Sequence, residues 1–146
     1  MPQTSVAPYP LAIVICDLAW RDPGTGKATL LGCFSALMGP DFPLSVASLG
    51  LYIALTDGRG TIPIRIRMID VDESRDPVVE SEVEVEFSDP RMIAEICLNM
   101  QGLVFPEPGE YRCQVFAGNE FLLERKIVAV QSGGNRDERG EGEHQG

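Results

Sequence analysis

The feature that most constrains this chain is its rhythm. Clusters of Gly, Pro and Asp recur roughly every eight to fifteen residues, and most segments between them alternate apolar with polar residues, many of them β-branched or aromatic. Successive side chains of a strand point to opposite faces, whereas a helix brings every third or fourth residue to one side. Period two with this punctuation therefore selects strands joined by tight turns. At 146 residues the chain suits one domain and is too short for two well-cored ones, so the spacing indicates a single sandwich or barrel.

The strands can be placed from their turns. Residues 11–19 are apolar on both faces, as in a central strand covered on two sides. A turn at Asp22, Pro23, Gly24, Thr25 and Gly26 leads back into residues 27–34, and a hairpin centred between Gly24 and Thr25 sets Cys16 opposite Cys33. After a link holding Gly39, Pro40 and Pro43, residues 47–56 place Leu49, Leu51, Ile53 and Leu55 on one face, and Asp57 and Gly58 begin a turn. Residues 62–69 alternate Ile64, Ile66 and Met68 with Arg65 and Arg67; Pro63 puts this strand at an edge or near its own start. In residues 78–87, Val83, Val85 and Phe87 oppose Glu80, Glu82, Glu84 and Glu86. Ser88, Asp89 and Pro90 carry a helix-start signal, which predicts one helical turn followed by a strand through Ile96 and Met100. Residues 110–117 and 120–130, hinged at Gly118 and Asn119, close the domain.

These assignments predict an all-β fold, an antiparallel immunoglobulin-like β-sandwich of about seven or eight strands. The immunoglobulin likeness rests on Pro108-Gly109-Glu110-Tyr111-Arg112-Cys113, where a Tyr two residues before a Cys is the pattern of a corner between sheets. The Cys–Trp–Cys core of antibody domains is not supported, because Trp20 follows Cys16 too closely and no Trp follows Cys33. The expected boundaries are an N-terminal extension over residues 1–10, the sandwich over 11–131, and a disordered acidic tail over 132–146 that lacks apolar side chains to bury.

Charge and cysteine usage narrow the function classes. The net charge is −10, which disfavours nucleic acid and anionic membranes as partners. It is concentrated: residues 70–89 hold nine acids and one Arg, and outside this stretch and the tail the charges balance. No apolar run approaches the roughly 20 residues of a membrane span, and MPQTSVAPYP lacks the features of a signal peptide, so the expected location is the cytoplasm. There Cys16, Cys33, Cys97 and Cys113 read as reduced thiols, and no CxxC motif occurs. The single histidine, His144, lies in the tail, which removes His-assisted nucleophiles and multi-histidine zinc sites.

Four patterns invite chemistry. Gly24-Thr25-Gly26-Lys27-Ala28-Thr29 resembles part of a phosphate-binding loop, but Arg21 replaces its first Gly and Ala28 its metal-binding hydroxyl, so it reads as a β-turn. Asp70, Asp72 and Asp76, joined by Asp17 or Asp22, offer carboxylates for a calcium ion, although Arg75 and Ser81 break an EF-hand pattern. Glu80, Glu82, Glu84 and Glu86 form either a solvated, charged edge that discourages strand addition or an acidic docking face for a basic protein partner. Paired carboxylates also allow a hydrolase, but one Trp and three Tyr make a poor sugar-binding cleft. The favoured expectation is a non-enzymatic binding or scaffold module without a cofactor, with a calcium-dependent module and a carboxylate hydrolase as alternatives and the oligomeric state open.

Several phrases together carry a family likeness: Ile15-Cys16-Asp17, Gly26-Lys27, Leu31-Gly32, Phe34, Phe42-Pro43, the stretch from Leu51 to Gly58, the stretch from Gly102 to Arg112, and Phe121 to Arg125. In these the chain resembles an uncharacterised bacterial domain family of unknown function. The resemblance implies a small bacterial β-sandwich over nearly the whole domain and brings no catalytic or binding residues with it.

Overall fold

The computed structural model describes residues 5–71 and 75–132. Among them run nine strands: β1 (Tyr9–Arg21), β2 (Ala28–Cys33), β3 (Ala36–Gly39), β4 (Leu44–Thr56), β5 (Gly60–Asp70), β6 (Val79–Phe87), β7 (Ile93–Phe105), β8 (Gly109–Ala117) and β9 (Glu120–Gln131). They form two sheets, ordered β2-β1-β4-β7 and β3-β9-β8-β5-β6. The chain changes sheet between β2 and β3, β3 and β4, β4 and β5, β6 and β7, and β7 and β8, while β1–β2, β5–β6 and β8–β9 are hairpins within a sheet. This is an immunoglobulin-like sandwich. No helix among the described residues is long and apolar enough to cross a membrane.

Alternation builds the core. Leu49, Leu51, Ile53 and Leu55 of β4 face Ile64, Ile66 and Met68 of β5 across the interior, with Ile15, Phe105, Val115 and Ile127 completing a fully buried cluster. Each such side chain removed from water contributes roughly 1.5–3 kcal/mol. The corner residue is in place: the Tyr111 hydroxyl donates to the Glu107 carbonyl at 2.5 Å and accepts the Glu107 N–H at 3.2 Å. Its ring meets Phe105 edge-on at 4.9 Å. Two residues on, Cys113 is buried as a free thiol, pushed up to about 12 by that burial.

Three features differ from the reading of the sequence. The ninth strand, β3, lies inside the Gly/Pro-rich link and pairs with β9 in parallel, against the antiparallel rule that holds elsewhere. Residues 88–92 make a turn in place of a helical turn, closed by Met92 N–H to the Asp89 carbonyl at 3.0 Å. Two of their carbonyls are claimed by a neighbour: Asp57 N–H donates to Pro90 O at 3.0 Å and the Thr56 hydroxyl to Met92 O at 3.0 Å. Finally, β1 is longer than expected at both ends, and Val6 forms a bridge to Arg59 ahead of it. Residues 133–146, most of the expected tail, lie outside the described residues.

The end of β1 shapes one whole side of the molecule. Its pairing with β4 stops at Cys16–Gly50, and the strand then continues with β2 as a hairpin folded across the outer face of β4 and β7. Ala19 lands above Gly50, where the Asn99 amide holds both of its backbone groups: Ala19 N–H donates to Asn99 Oδ1 at 3.0 Å and Asn99 Nδ2 donates to the Ala19 carbonyl at 2.8 Å. A Cβ on Gly50 would stand 2.8 Å from Ala19 N and 3.0 Å from both Asn99 Oδ1 and Cys16 Sγ. Hence Gly50→Val is expected to cost about 1–3 kcal/mol by overpacking. Urea denaturation should show this as a lower midpoint with an unchanged slope.

Candidate functional site

β6 ends its sheet, pairing with β5 on one side only. Alternation turns Val83 and Val85 inward, half-buried, and leaves Glu80, Glu82, Glu84 and Glu86 exposed on the other face. The register aligns Arg67 with Glu80, Arg65 with Glu82, Pro63 with Glu84 and Thr61 with Glu86. Arg67 Nε stands 3.2 Å from the Glu80 carboxylate. The Arg65 guanidinium instead lies 4.8 Å above the Phe116 ring, which meets Phe121 edge-on at 5.7 Å. Pro63 and Thr61 are uncharged, so Glu84 and Glu86 have no cationic cross-strand partner on β5.

The backbone direction of this edge follows from one bond. The Pro63 carbonyl accepts Gly118 N–H at 2.8 Å, on the β8 side of β5. N–H and C=O of one residue point to the same side of an antiparallel strand, and that side alternates along it. Ile62, Ile64 and Ile66 therefore turn toward β6, where their register partners are Val85, Val83 and Ser81. The glutamates are the other half of β6, so their N–H and C=O groups point out of the sheet edge.

Beside this edge runs a groove of about 660 Å³, bounded by Val83, Val85, Glu84 and Glu86 of β6, by Ile96 and Cys97 of β7, and by Trp20 and Arg21 of the folded-back hairpin. Trp20 is 48% exposed, beside exposed Leu18 and Leu31. Arg21 is fixed by the Gly26 carbonyl at 2.8 Å and the Glu95 carbonyl at 2.7 Å, with the Glu95 carboxylate 3.7 Å away. The Tyr52 hydroxyl donates to that same carboxylate. Burial, and then this hydrogen bond and charge, push the Tyr52 phenol up to about 12.

The acids singled out for calcium are dispersed. Asp70 ends β5 with a side chain 12% exposed, and Arg75 Nε lies 3.1 Å from its carboxylate while the same guanidinium pairs with Glu107. Asp76 is exposed, and Asp72 lies outside the described residues. Asp22 is engaged in the β1–β2 turn, accepting from Gly24 N–H at 3.0 Å and the Thr25 hydroxyl at 2.9 Å. Asp17 packs into the space beside Gly32 on the same hairpin. Among the described residues no group of three or more His, Cys, Asp or Glu is disposed to hold a metal ion. The cation that the structure places at Asp70 is a guanidinium.

The sequence alone did not point to the groove. Trp20 and Arg21 reach it, beside Glu95 of β7, only because the hairpin folds back, and the one local signal for that is Gly50 among buried Leu49 and Leu51, a glycine where another backbone approaches closely.

A family model described as a family of unknown function (DUF6941) matches residues 11–130. No curated protein matches. Among solved structures the chain is similar to part of a β-glucosidase from Listeria innocua, at 12% identity and a TM-score of 0.42, covering 88% of this chain and 16% of that one. The chain thus spans about a sixth of that enzyme's length. It is also similar to an immunoglobulin-like protein from Pseudomonas aeruginosa, at 13% identity and a TM-score of 0.40, covering 85% of this chain and 97% of that one. These likenesses bring no residue role or activity to the present chain.

Two solution measurements follow from the site. Thermal melting in EDTA and in millimolar CaCl₂ should give the same midpoint, because a ligand stabilises only by binding the folded state and Arg75 already occupies Asp70. In alkali, unfolded tyrosine loses its proton near 10 whereas folded Tyr52 keeps it to about 12. The folded state then binds more protons, so stability falls as pH rises through that window. Tyr52→Phe should flatten part of this fall in chemical denaturation curves recorded across it.

Proposed function

We propose that this chain, which belongs to the DUF6941 family of unknown function, is a non-enzymatic protein-binding module that takes an extended basic segment along the open edge of β6. The observation that carries this reading is the coincidence of three things on one edge: unpaired main-chain groups, a row of carboxylates and an adjoining groove. Strand addition draws affinity from main-chain hydrogen bonds and specificity from alternate side chains. A strand laid beside β6 would pair with the outward N–H and C=O groups of Glu80, Glu82, Glu84 and Glu86. Its residues on the outer face would stand directly across from the glutamates, where opposite charges stabilise a cross-strand pair. Residues on its inner face would enter the groove beside Val83, Val85 and Trp20. The segment that fits both requirements alternates Lys or Arg with apolar residues. The four free thiols support placing the protein in the cytoplasm.

Trp20 is the sole tryptophan, so its emission reports groove occupancy directly. A synthetic peptide of alternating lysine and valine should shift that emission and bind more weakly as salt rises, while a glutamate–valine peptide should do neither. Reversing both Glu84→Lys and Glu86→Lys should weaken binding by roughly tenfold, taking each exposed pair at up to about 1 kcal/mol. The melting midpoint should stay near wild type, because both side chains are exposed. Equal affinity of the wild type and the double reversal would leave the glutamates as a solubilising edge and end this reading.

A further inference from the structure

We infer that Cys16 and Cys33 are a redox pair that closes into a disulfide when the protein meets hydrogen peroxide. The two residues are direct partners across β1 and β2. Phe34 N–H donates to the Ile15 carbonyl at 3.0 Å, a bond that joins the residue after one cysteine to the residue before the other. In an antiparallel ladder that pattern marks a non-hydrogen-bonded pair, the kind whose α-carbons lie closest, about 4.5 Å apart. A disulfide spans roughly 4.4–6.8 Å between α-carbons, so the strands already stand at bridging distance. On the other side of the pair Gly32 adopts φ +67°, and the Asp17 carboxylate fills the space where a Cβ would sit. The strands therefore stay close there without a side chain to part them.

The two thiols differ in access, which orders the chemistry. Cys33 is exposed and Cys16 is fully buried. Burial, with Cys33 as the next cause, holds the Cys16 thiol above its ordinary range. The exposed Cys33 thiolate attacks one peroxide oxygen, the O–O bond breaks, and hydroxide leaves to be protonated, giving a sulfenic acid and water. Cys16 sulfur then attacks the Cys33 sulfur, loses its proton, and expels the sulfenic oxygen as a second water. Two thiols give up two protons and two electrons, and the peroxide is reduced to two waters. Cys97 is the competing thiol on this face. It stands on β7 opposite Tyr52, out of register with Cys16, and acts on the Cys16 thiol less than Cys33 does.

The full chain reports the pairing cleanly, because Arg21, Lys27, Arg59, Arg91 and Arg112 let trypsin place all four cysteines in different peptides. Treatment of the reduced protein with dilute hydrogen peroxide should lower its intact mass by two hydrogen atoms. It should also remove two of the four titratable thiols, and link the peptide ending at Arg21 to the one beginning at Ala28. The melting midpoint should rise by several degrees and return on adding dithiothreitol. Cys33→Ser, at an exposed position, should keep its fold by circular dichroism and form no intramolecular link. A link from Cys16 to Cys97, a disulfide between two copies, or a Cys33 that only gains oxygen would each overturn the pairing.

Discussion

The arrangement of this domain depends on a side-chain amide doing the work of a missing strand. Where β1 leaves the sheet it carries backbone N–H and C=O groups over the outer face of β4 and β7, and such groups cannot be left without partners away from water. Asn99 supplies both partners for Ala19, and Gly50 beneath it supplies the space. From that contact follow the folded-back hairpin, the position of Trp20 and Arg21 over the β7 edge, and the groove itself. It also explains why β4 is buried on both faces: Leu49 and Leu51 pack into the core while Gly50 and Ala54 lie under the hairpin side.

Much of the fold was legible because burial on one face and solvent on the other impose period two. β4, β5, β6 and β8 all show it plainly, and the Pro-Gly-Glu-Tyr-Arg-Cys corner identified the strand that carries Tyr111. Turn length fixed register as well, bringing Cys16 to Cys33. What escaped was whatever depends on distant partners. β3 has four residues, includes the exposed Met38, and owes its strand conformation to β9, some 90 residues later in the chain. Residues 88–92 carry good helix-start chemistry, yet Thr56 and Asp57 compete for their backbone groups and win. The glutamate row was visible in the sequence; the groove beside it was not, because its far wall comes from a strand that changes direction.

The balance of charge over most of the chain acquires a spatial meaning. Arginines elsewhere are engaged locally: Arg112 bridges Glu110 and Glu124 at 3.0 and 3.1 Å, Arg21 is held at Glu95, and Arg75 joins Asp70 to Glu107. Beside β6 the supply stops at Arg65 and Arg67 of β5, and one of these is turned over Phe116. An acidic excess in the composition thus becomes a directional field at one sheet edge, where it bears on what approaches that edge more than on the stability of the fold.

The parallel pairing of β3 with β9 gives the domain a mechanical character. The described chain enters beside Arg59, at the turn between β4 and β5, and leaves beside Gly39, where Ser132 N–H extends the ladder at 2.9 Å. These points lie at opposite ends of the sandwich, and β9 runs along the line between them. Tension applied across the domain would pull β9 lengthwise past β8 on one side and β3 on the other. The ladder bonds on both flanks would then be loaded together in shear, whereas a strand peeled from its end breaks them one at a time.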